Sequence, residues 1–251
     1  MLIITADDYG MTVPATDGIL ECFRNGRLTS ASAMVFMADS ERAAALARGT
    51  GLEIGLHLNL TQEFTAPPPD ARISEQHARV RHYLNRHRFA QALFHPLLTS
   101  AFRDLVRIQW REFERLYGRS PDFVNGHHHM HLATNVLAQR LLPAGARLRM
   151  PFTFRSGEKG RLNRWYRSLV ARHLRRKFVT PDGLYSVEPI TDLARLGKIA
   201  ALARESKVEL EVHPETPAEK EFLLSPAFRQ LLEGITLGSF QQLTTSQARS
   251  N

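Results

Sequence analysis

The feature that most constrains this chain's fold is the alternation of short β-rich runs with longer helical patterns along its whole length. Such alternation is typical of βα units built around a parallel sheet rather than of a sandwich. The first unit pairs a predicted strand at Leu2–Thr5 with a helix near Val13–Asn25. Further strands are predicted at Ser32–Met37, Glu53–Leu60, Phe123–His131, Arg147–Phe152, Val208–His213 and Ile235–Phe240. The sequence therefore predicts an α/β fold, and about seven strands favour a closed or nearly closed barrel.

Length and composition favour a single globular protein. The 251 residues are enough for one substantial core, and we expect one domain over residues 1–251. The N-terminus has no basic region and only a short apolar run, a pattern that fits neither a signal peptide nor a membrane span, so we expect a cytoplasmic protein. Cys22 is the only cysteine, which excludes an internal disulfide and a cysteine-based zinc cluster.

Strand alternation separates several histidines from the apolar core. In Glu53–Leu60, the side chains of His57 and Asn59 lie on the face opposite the leucines. The predicted strand Phe123–His131 has a second polar face, made of Asn125, His127, His129 and His131. Three imidazoles on one face favour a functional cluster over core packing. A solvated polar stretch is the alternative for this cluster, and a hydrogen-bonded structural histidine is the alternative for His57.

Two adjacent carboxylates, Asp7 and Asp8, follow the first apolar run directly. They are therefore expected at the carboxyl end of the first strand, where barrel enzymes gather their catalytic groups. The alternative is that they begin a turn or cap a helix. Together with the two histidine-bearing strands they supply an Asp-His-His ligand set, which suits a divalent metal with open positions for water and substrate.

Two further polar residues are expected at strand ends. His213 closes the alternating run Val208–His213 and is a candidate general acid, or else a histidine hydrogen-bonded beside Pro214. Arg149 ends another predicted strand. Its fixed charge could orient Asp7, bind substrate or neutralise a buried carboxylate.

The formal net charge of +8 is concentrated in one segment. Between Arg155 and Lys177 there are nine Lys or Arg residues and one acid, Glu158. Trp165, Leu169 and Leu174 have roughly helical spacing within it, which indicates a helix with a solvated basic face. The other interpretations are a surface for anionic lipid head groups or phosphates, and a nucleic-acid surface.

Five motifs follow one another along nearly the whole chain. They are Thr5-Ala-Asp-Asp-Tyr-Gly10, Leu28-Thr-Ser-Ala-Ser32, Gly55-Leu-His-Leu-Asn-Leu-Thr61, Asn125-Gly-His-His-His-Met-His131 and Glu211-Val-His-Pro214. In this order they resemble the YdjC-like carbohydrate deacetylase family of the ChbG and HpnK type, which includes chitooligosaccharide deacetylases and hopanoid-associated proteins. Their order and spacing are more specific than any one of them.

The resemblance implies a distorted seven-stranded, TIM-like βα barrel and a metal held by Asp8, His57 and His127. It also implies that Asp7 is the catalytic base and His213 the general acid. The residues expected to bind substrate or support these groups are Tyr9, Asn59, Asn125, His129, His131 and Arg149. Asn125 departs from the pattern, since many members have Asp there, so the charge beside the ligands differs. The resemblance implies magnesium, whereas a nitrogen-rich ligand set suits zinc.

The implied activity is removal of the acetyl group from a sugar that contains N-acetylglucosamine, either a soluble chitooligosaccharide or a lipid-linked, hopanoid-type sugar. One divalent ion per chain is expected. A metal-dependent phosphoesterase is the alternative, and it would favour two metals about 3.5–4 Å apart. We expect no nucleic-acid partner, because nucleic-acid binding gives no reason for Asp8 and His57. Residues 155–177 are expected to offer a peripheral contact with anionic membrane, and a homodimer is left open.

Overall fold

The chain is represented by a computed structural model that describes residues 1–87, 89–154 and 160–244. The described residues form two compact units. The first contains Met1–Ala6, Gly18–Ala31 and the described residues from Ala144 onward, and the second contains Asp7–Asp17 and Ser32–Pro143. The single domain expected over residues 1–251 stays a prediction. Residues 155–159 of the basic segment lie outside the described residues.

The described residues form one six-stranded sheet with the strand order β4-β3-β2-β1-β6-β5. Its strands are β1 (Leu2–Tyr9), β2 (Ser30–Ala33), β3 (Glu53–Leu58), β4 (Val124–Gly126), β5 (Gly183–Ser186) and β6 (Val208–Val212). The pairs β1 with β6, β5 with β6, and β3 with β4 are parallel. All eight residues of β1 are buried, as expected for a strand covered on both faces of a parallel sheet. The predicted α/β class is confirmed.

Five of the seven predicted strands overlap a strand of the sheet, and two do not. Arg147–Phe152 and Ile235–Phe240 make only isolated bridges, through Arg147, Phe152 and Leu237. Pro151 interrupts the first of these segments because it has no backbone N–H to donate. Conversely, β5 is too short and too rich in Gly and Ser to have been recognised from the sequence. The described residues thus contain six strands, and the seventh strand and the TIM-like barrel are not confirmed.

The strand predicted over Phe123–His131 is correct only in its first part. It ends at Gly126, and His127–Leu132 continues as 3₁₀ turns in which His128 and His129 have left-handed backbone angles, with φ of 52° and 60°. The prediction that three histidines share one strand face is therefore wrong. A Cβ on Gly126 would lie 2.8 Å from the backbone nitrogen of His131. Only glycine lets the chain fold back so tightly.

Helices occupy most of the intervals between the strands. They are α1 (Val13–Arg24), α2 (Ser40–Ala47), α3 (Ala71–Arg86), α4 (Thr99–Tyr117), α5 (Thr134–Ala138), α6 (Arg161–Arg175), α7 (Leu193–Glu205), α8 (Pro217–Leu224) and α9 (Pro226–Leu231). Short 3₁₀ helices occur at Ala90–Ala92, Pro96–Leu98 and Phe240–Gln242. Within the described ranges, no helix combines the length and the apolar character that crossing a bilayer requires.

Candidate metal centre

Asp8 is buried near the carboxyl end of β1 in an unusual backbone conformation. Its φ is 65°, in the left-handed region that residues other than glycine seldom occupy. A residue held there costs roughly 1–3 kcal/mol, and such residues concentrate at functional sites. The conformation takes Asp8 out of the regular alternation of the strand. Its carboxylate consequently lies beside two histidines.

The structure brings the three predicted ligand residues together within the second unit. The Oδ1 atom of Asp8 lies 2.9 Å from Nδ1 of His127 and 3.2 Å from Nε2 of His57. One ligand atom from each residue falls within 4.8 Å of the other two. One carboxylate oxygen and two imidazole nitrogens fit a divalent cation. The side chain of His127 is 13% exposed, so this group is not fully enclosed.

His57 is oriented by a side chain on the neighbouring strand. His57 pairs with Asn125 in the β3–β4 register. Its Nδ1 atom donates to Oδ1 of Asn125 at 2.8 Å, because an amide oxygen can only accept. Nε2 is therefore the nitrogen that faces Asp8 and can bind a cation. A hydrogen bond to the far nitrogen of a ligand histidine sets its tautomer and ring orientation in this way.

Asn125 links this histidine to Asp7. Its Nδ2 atom donates to Oδ1 of Asp7 at 3.0 Å, and the hydroxyl of Ser32 donates to the same oxygen at 2.8 Å. Asp7, Ser32 and Asn125 are all buried. The amide thus serves both carboxylate and imidazole, and it carries no charge of its own. Ser32 was not among the predicted site residues, although it lies in one of the five motifs.

The charges of this cluster change the pKa values of its members. Burial raises the pKa of Asp8, but the hydrogen bonds and charges of His127 and His57 outweigh this effect and hold the pKa well below its usual value. Burial also opposes the charged form of His57. The negative charges of Asp7 and Asp8 and the hydrogen bonds outweigh that opposition and raise the pKa of His57 to about 9. In the metal-free protein His57 is therefore protonated at neutral pH.

The remaining predicted residues of the second unit are placed around the centre in different ways. Tyr9 is fully buried, and its hydroxyl donates to the carbonyl of Ala43 at 2.8 Å. Asn59 uses both ends of its amide to hold the loop after β3, accepting from the backbone nitrogens of Thr61 and Gln62 and donating to the carbonyl of Gln62. These bonds give Tyr9 and Asn59 supporting positions in the fold.

His129 and His131 lie in the 3₁₀ turns after β4, with their ring centres 6.2 Å apart. His131 is fully buried. His128, which was not predicted as a site residue, packs against His127 with the ring centres 4.1 Å apart and the rings tilted by 34°. Its Nδ1 atom lies 3.1 Å from the hydroxyl of Thr61.

In the first unit, a buried arginine is surrounded by glutamates. The Nε atom of Arg149 donates to Glu209 at 2.7 Å, and its Nη1 atom lies 3.7 Å from Glu211. Glu211 in turn lies 3.4 Å from Nε2 of His213, a side chain that is one-third exposed. The backbone N–H of His213 donates to the carboxylate of Glu219. Of the roles predicted for Arg149, neutralisation of buried carboxylates is the one that these contacts support.

The fold and the site thus define an α/β chain with an Asp-His-His donor group, of a kind that suits a divalent cation, at the ends of its strands. The chain belongs to the YdjC-like protein family, whose model matches residues 1–234. It is 33% identical to a carbohydrate deacetylase of Mus musculus over 163 residues, which is 63% of this chain and 51% of the mouse protein. It is also 33% identical to a chitooligosaccharide deacetylase of Serratia marcescens over 137 residues, 54% of this chain and 52% of that protein.

The chain thus spans about half the length of the curated relatives that it matches. Among solved structures it is similar to a protein from Enterococcus faecalis whose name refers to cellobiose-phosphate cleavage. That similarity has a TM-score of 0.71 and 22% identity and covers 96% of this chain and 97% of the other. At this level of identity it supports the shared fold alone.

Proposed function

We propose that this chain is a carbohydrate N-deacetylase that uses one divalent metal ion to remove the acetyl group from a sugar containing N-acetylglucosamine. The observation that carries the proposal is the donor group of Asp8, His57 and His127, with Asp7 held beside it through Asn125. Two relatives of this chain are named as deacetylases of carbohydrates or chitooligosaccharides. The substrate is either a soluble chitooligosaccharide or a lipid-linked sugar.

Asp8, His57 and His127 would hold the ion. When bound, a divalent cation polarises a carbonyl and lowers the pKa of water. Asp7 acts as the general base, taking a proton from the attacking water. Ser32 and Asn125 both donate to its Oδ1 atom, so the carboxylate is held in one orientation before the substrate arrives.

His213 acts as the general acid and gives a proton to the leaving amine. An unprotonated sugar amine is a poor leaving group, so this transfer is needed for the C–N bond to break. Its neighbour Glu211 is suited to stabilise the imidazolium form, since the carboxylate lies 3.4 Å from Nε2 of His213. The products are acetate and a free amino sugar.

An acetate-release assay tests the proposed activity. The chain is stripped of metal, reloaded separately with magnesium and zinc, and supplied with short N-acetylglucosamine oligomers and with lipid-linked N-acetylglucosamine. We expect acetate release that depends on the added metal, with one ion bound per chain. Two ions per chain together with cleavage of phosphate esters would favour a phosphoesterase instead, and no acetate from any of these substrates would reject the proposal.

The raised pKa of His57 predicts pH-dependent metal binding. A cation must displace the proton on the His57 nitrogen that faces Asp8, because imidazole binds metal in its neutral form. The apparent affinity should therefore increase by about tenfold per pH unit up to pH 9, where His57 has lost its proton, and change little above it. Calorimetry in buffers of different ionisation enthalpy should show about one proton released per ion.

The folding stability contributed by His57 in the metal-free protein should decrease as the pH rises, whereas the metal affinity should increase. The pKa of His57 is higher in the folded chain, about 9, than the ordinary value of 6.5. Its protonation therefore stabilises the fold fully below pH 6.5, and this contribution is lost as the pH rises through 9. A metal affinity that does not vary between these two pH values would contradict the charge state assigned to His57.

Asn125 is expected to affect metal affinity through His57 and the titration of the general base through Asp7. Asn125→Leu removes the acceptor for His57 and the donor for Asp7, and it should lower metal affinity by about 10- to 100-fold. Asn125→Asp keeps the acceptor but places a second carboxylate against Asp7. Metal affinity should then change less, while the basic group in the pH profile of kcat should titrate at higher pH, because two carboxylates at this distance share a proton. Equal metal affinity of Asn125→Leu and the unmodified chain would contradict the orienting role.

A further inference from the structure

Helix α6 in the first unit has an exposed apolar stripe among positive charges. It contains five arginines and no aspartate or glutamate. Leu174 is buried and marks the inner face, whereas Trp165, Tyr166 and Leu169 are 61%, 41% and 40% exposed. Trp165 and Leu169 are four residues apart and therefore adjacent on the helix surface. Exposed aromatic and leucine side chains among arginines are typical of a helix that lies in a membrane interface.

A cavity of about 440 Å³ adjoins the same helix. Its second wall is formed by residues 150–154, which include two phenylalanines. The charged side chains that line it are Arg164, Arg167, Arg172, Arg175, Arg176 and Asp182. Five cations against one carboxylate make this a strongly positive cavity, and its volume is within the range of small-molecule sites.

One of these arginines has an unused donor, and their positive charge is largely uncompensated. The Nε atom of Arg164 is buried without a hydrogen-bond partner among the described residues. The guanidinium of Arg167 lies 5.0 Å from the ring centre of Phe154, and burial lowers the pKa of Arg167. Asp182 neutralises little of the positive charge of this cavity. Its carboxylate accepts from the backbone nitrogen of Lys207, and Arg175 donates to its carbonyl oxygen rather than to its carboxylate.

We propose that α6 docks this chain on a membrane containing anionic phospholipid, with a lipid phosphate in the arginine-lined cavity and Trp165, Tyr166 and Leu169 in the interface. A phosphate group matches the planar, multiply donating guanidinium groups. A phosphate free in solution would account for the cavity but not for the exposed apolar stripe beside it. Arg172 links the cavity to the apolar stripe. It lines the cavity, and it lies on the same side of α6 as Trp165 because the two residues are seven positions, or two turns, apart.

Vesicle flotation with the full chain tests this docking surface. We expect binding to vesicles of phosphatidylglycerol and phosphatidylcholine, little binding to phosphatidylcholine alone, and weaker binding as salt increases. The double variant Arg172→Gln/Arg176→Gln should bind about thirtyfold more weakly. The variant Trp165→Ser/Leu169→Ser should lose at least about tenfold. The fluorescence of Trp165 should shift to shorter wavelength on vesicles that contain phosphatidylglycerol.

The matched control is Arg103→Gln/Arg107→Gln, which removes two exposed charges at the same spacing on α4. It should bind vesicles as the unmodified chain does. Equal loss in this control and in Arg172→Gln/Arg176→Gln would overturn the proposal, because net charge alone would then explain binding. Three other results would also overturn it: unchanged binding of the α6 variants, binding of glycerol phosphate without binding of vesicles, and binding of polynucleotide without binding of vesicles.

Discussion

Replacing Asp8 with asparagine is expected to lower metal affinity by more than about 100-fold and to remove acetate release with it. Loss of a hydrogen-bonded neighbour of a ligand costs about 10- to 100-fold, so loss of the only anionic ligand should cost more. Asparagine keeps the size of the side chain and tolerates the left-handed backbone found at Asp8, with φ of 65°. The expected effect is therefore one of charge, and bound metal after dialysis measures it directly.

Asp17→Asn is the matched control for this change. Asp17 lies on α1, more than half exposed, and pairs with Arg42 at 2.9 Å. The same chemical change at this surface ion pair should leave both metal content and turnover within about twofold. Full metal occupancy in Asp8→Asn under the same dialysis would mean that the ion is held elsewhere.

Replacing Asp7 with asparagine is expected to have a different signature. Metal should still bind, since Asp7 is not one of the three ligand residues, but kcat should decrease by about 10²- to 10⁴-fold, the usual contribution of a general base. The amide cannot accept a proton. Ser32 can still donate to the amide oxygen, so the local fold should be preserved.

Titration of metal into both variants separates the two roles. Asp8→Asn should fail at binding, whereas Asp7→Asn should be saturated with metal and still inactive. Ser32→Ala provides a milder comparison, because it removes one of the two donors to Asp7 and keeps the carboxylate. Near-normal turnover of metal-loaded Asp7→Asn would assign the base to another residue.

Much of the fold could be predicted from local patterns, and the failures have local causes. Strands β1, β3 and β6 were recognised because their apolar residues form continuous or alternating runs. The segment after β4 was misassigned because alternation was extended through Gly126. At that position a close approach to His131 turns the chain into 3₁₀ geometry. Strand β5 carried too little pattern to be recognised.

The site, like the fold, could be predicted from the sequence only in part. Asp8, His57 and His127 were chosen from residue type, position and resemblance, and the structure places them around one point. Ser32 was missed, since a serine in a strand has no distinctive pattern. Asn125 is expected from the sequence to bind substrate or support the site, but its contacts with both His57 and Asp7 depend on the β3–β4 register.

By itself, the sequence determined the α/β class, because strand periodicity is a local property. It also indicated an Asp-His-His set of cation ligands, and the family resemblance implied which three residues form that set. Only the tertiary structure decided which nitrogen of His57 faces Asp8, and the resulting rise in the pKa of His57. It also decided that one neutral amide, Asn125, would serve two charged neighbours. Those features depend on contacts between residues 49 to 118 positions apart, and no pattern within a short window encodes such distances.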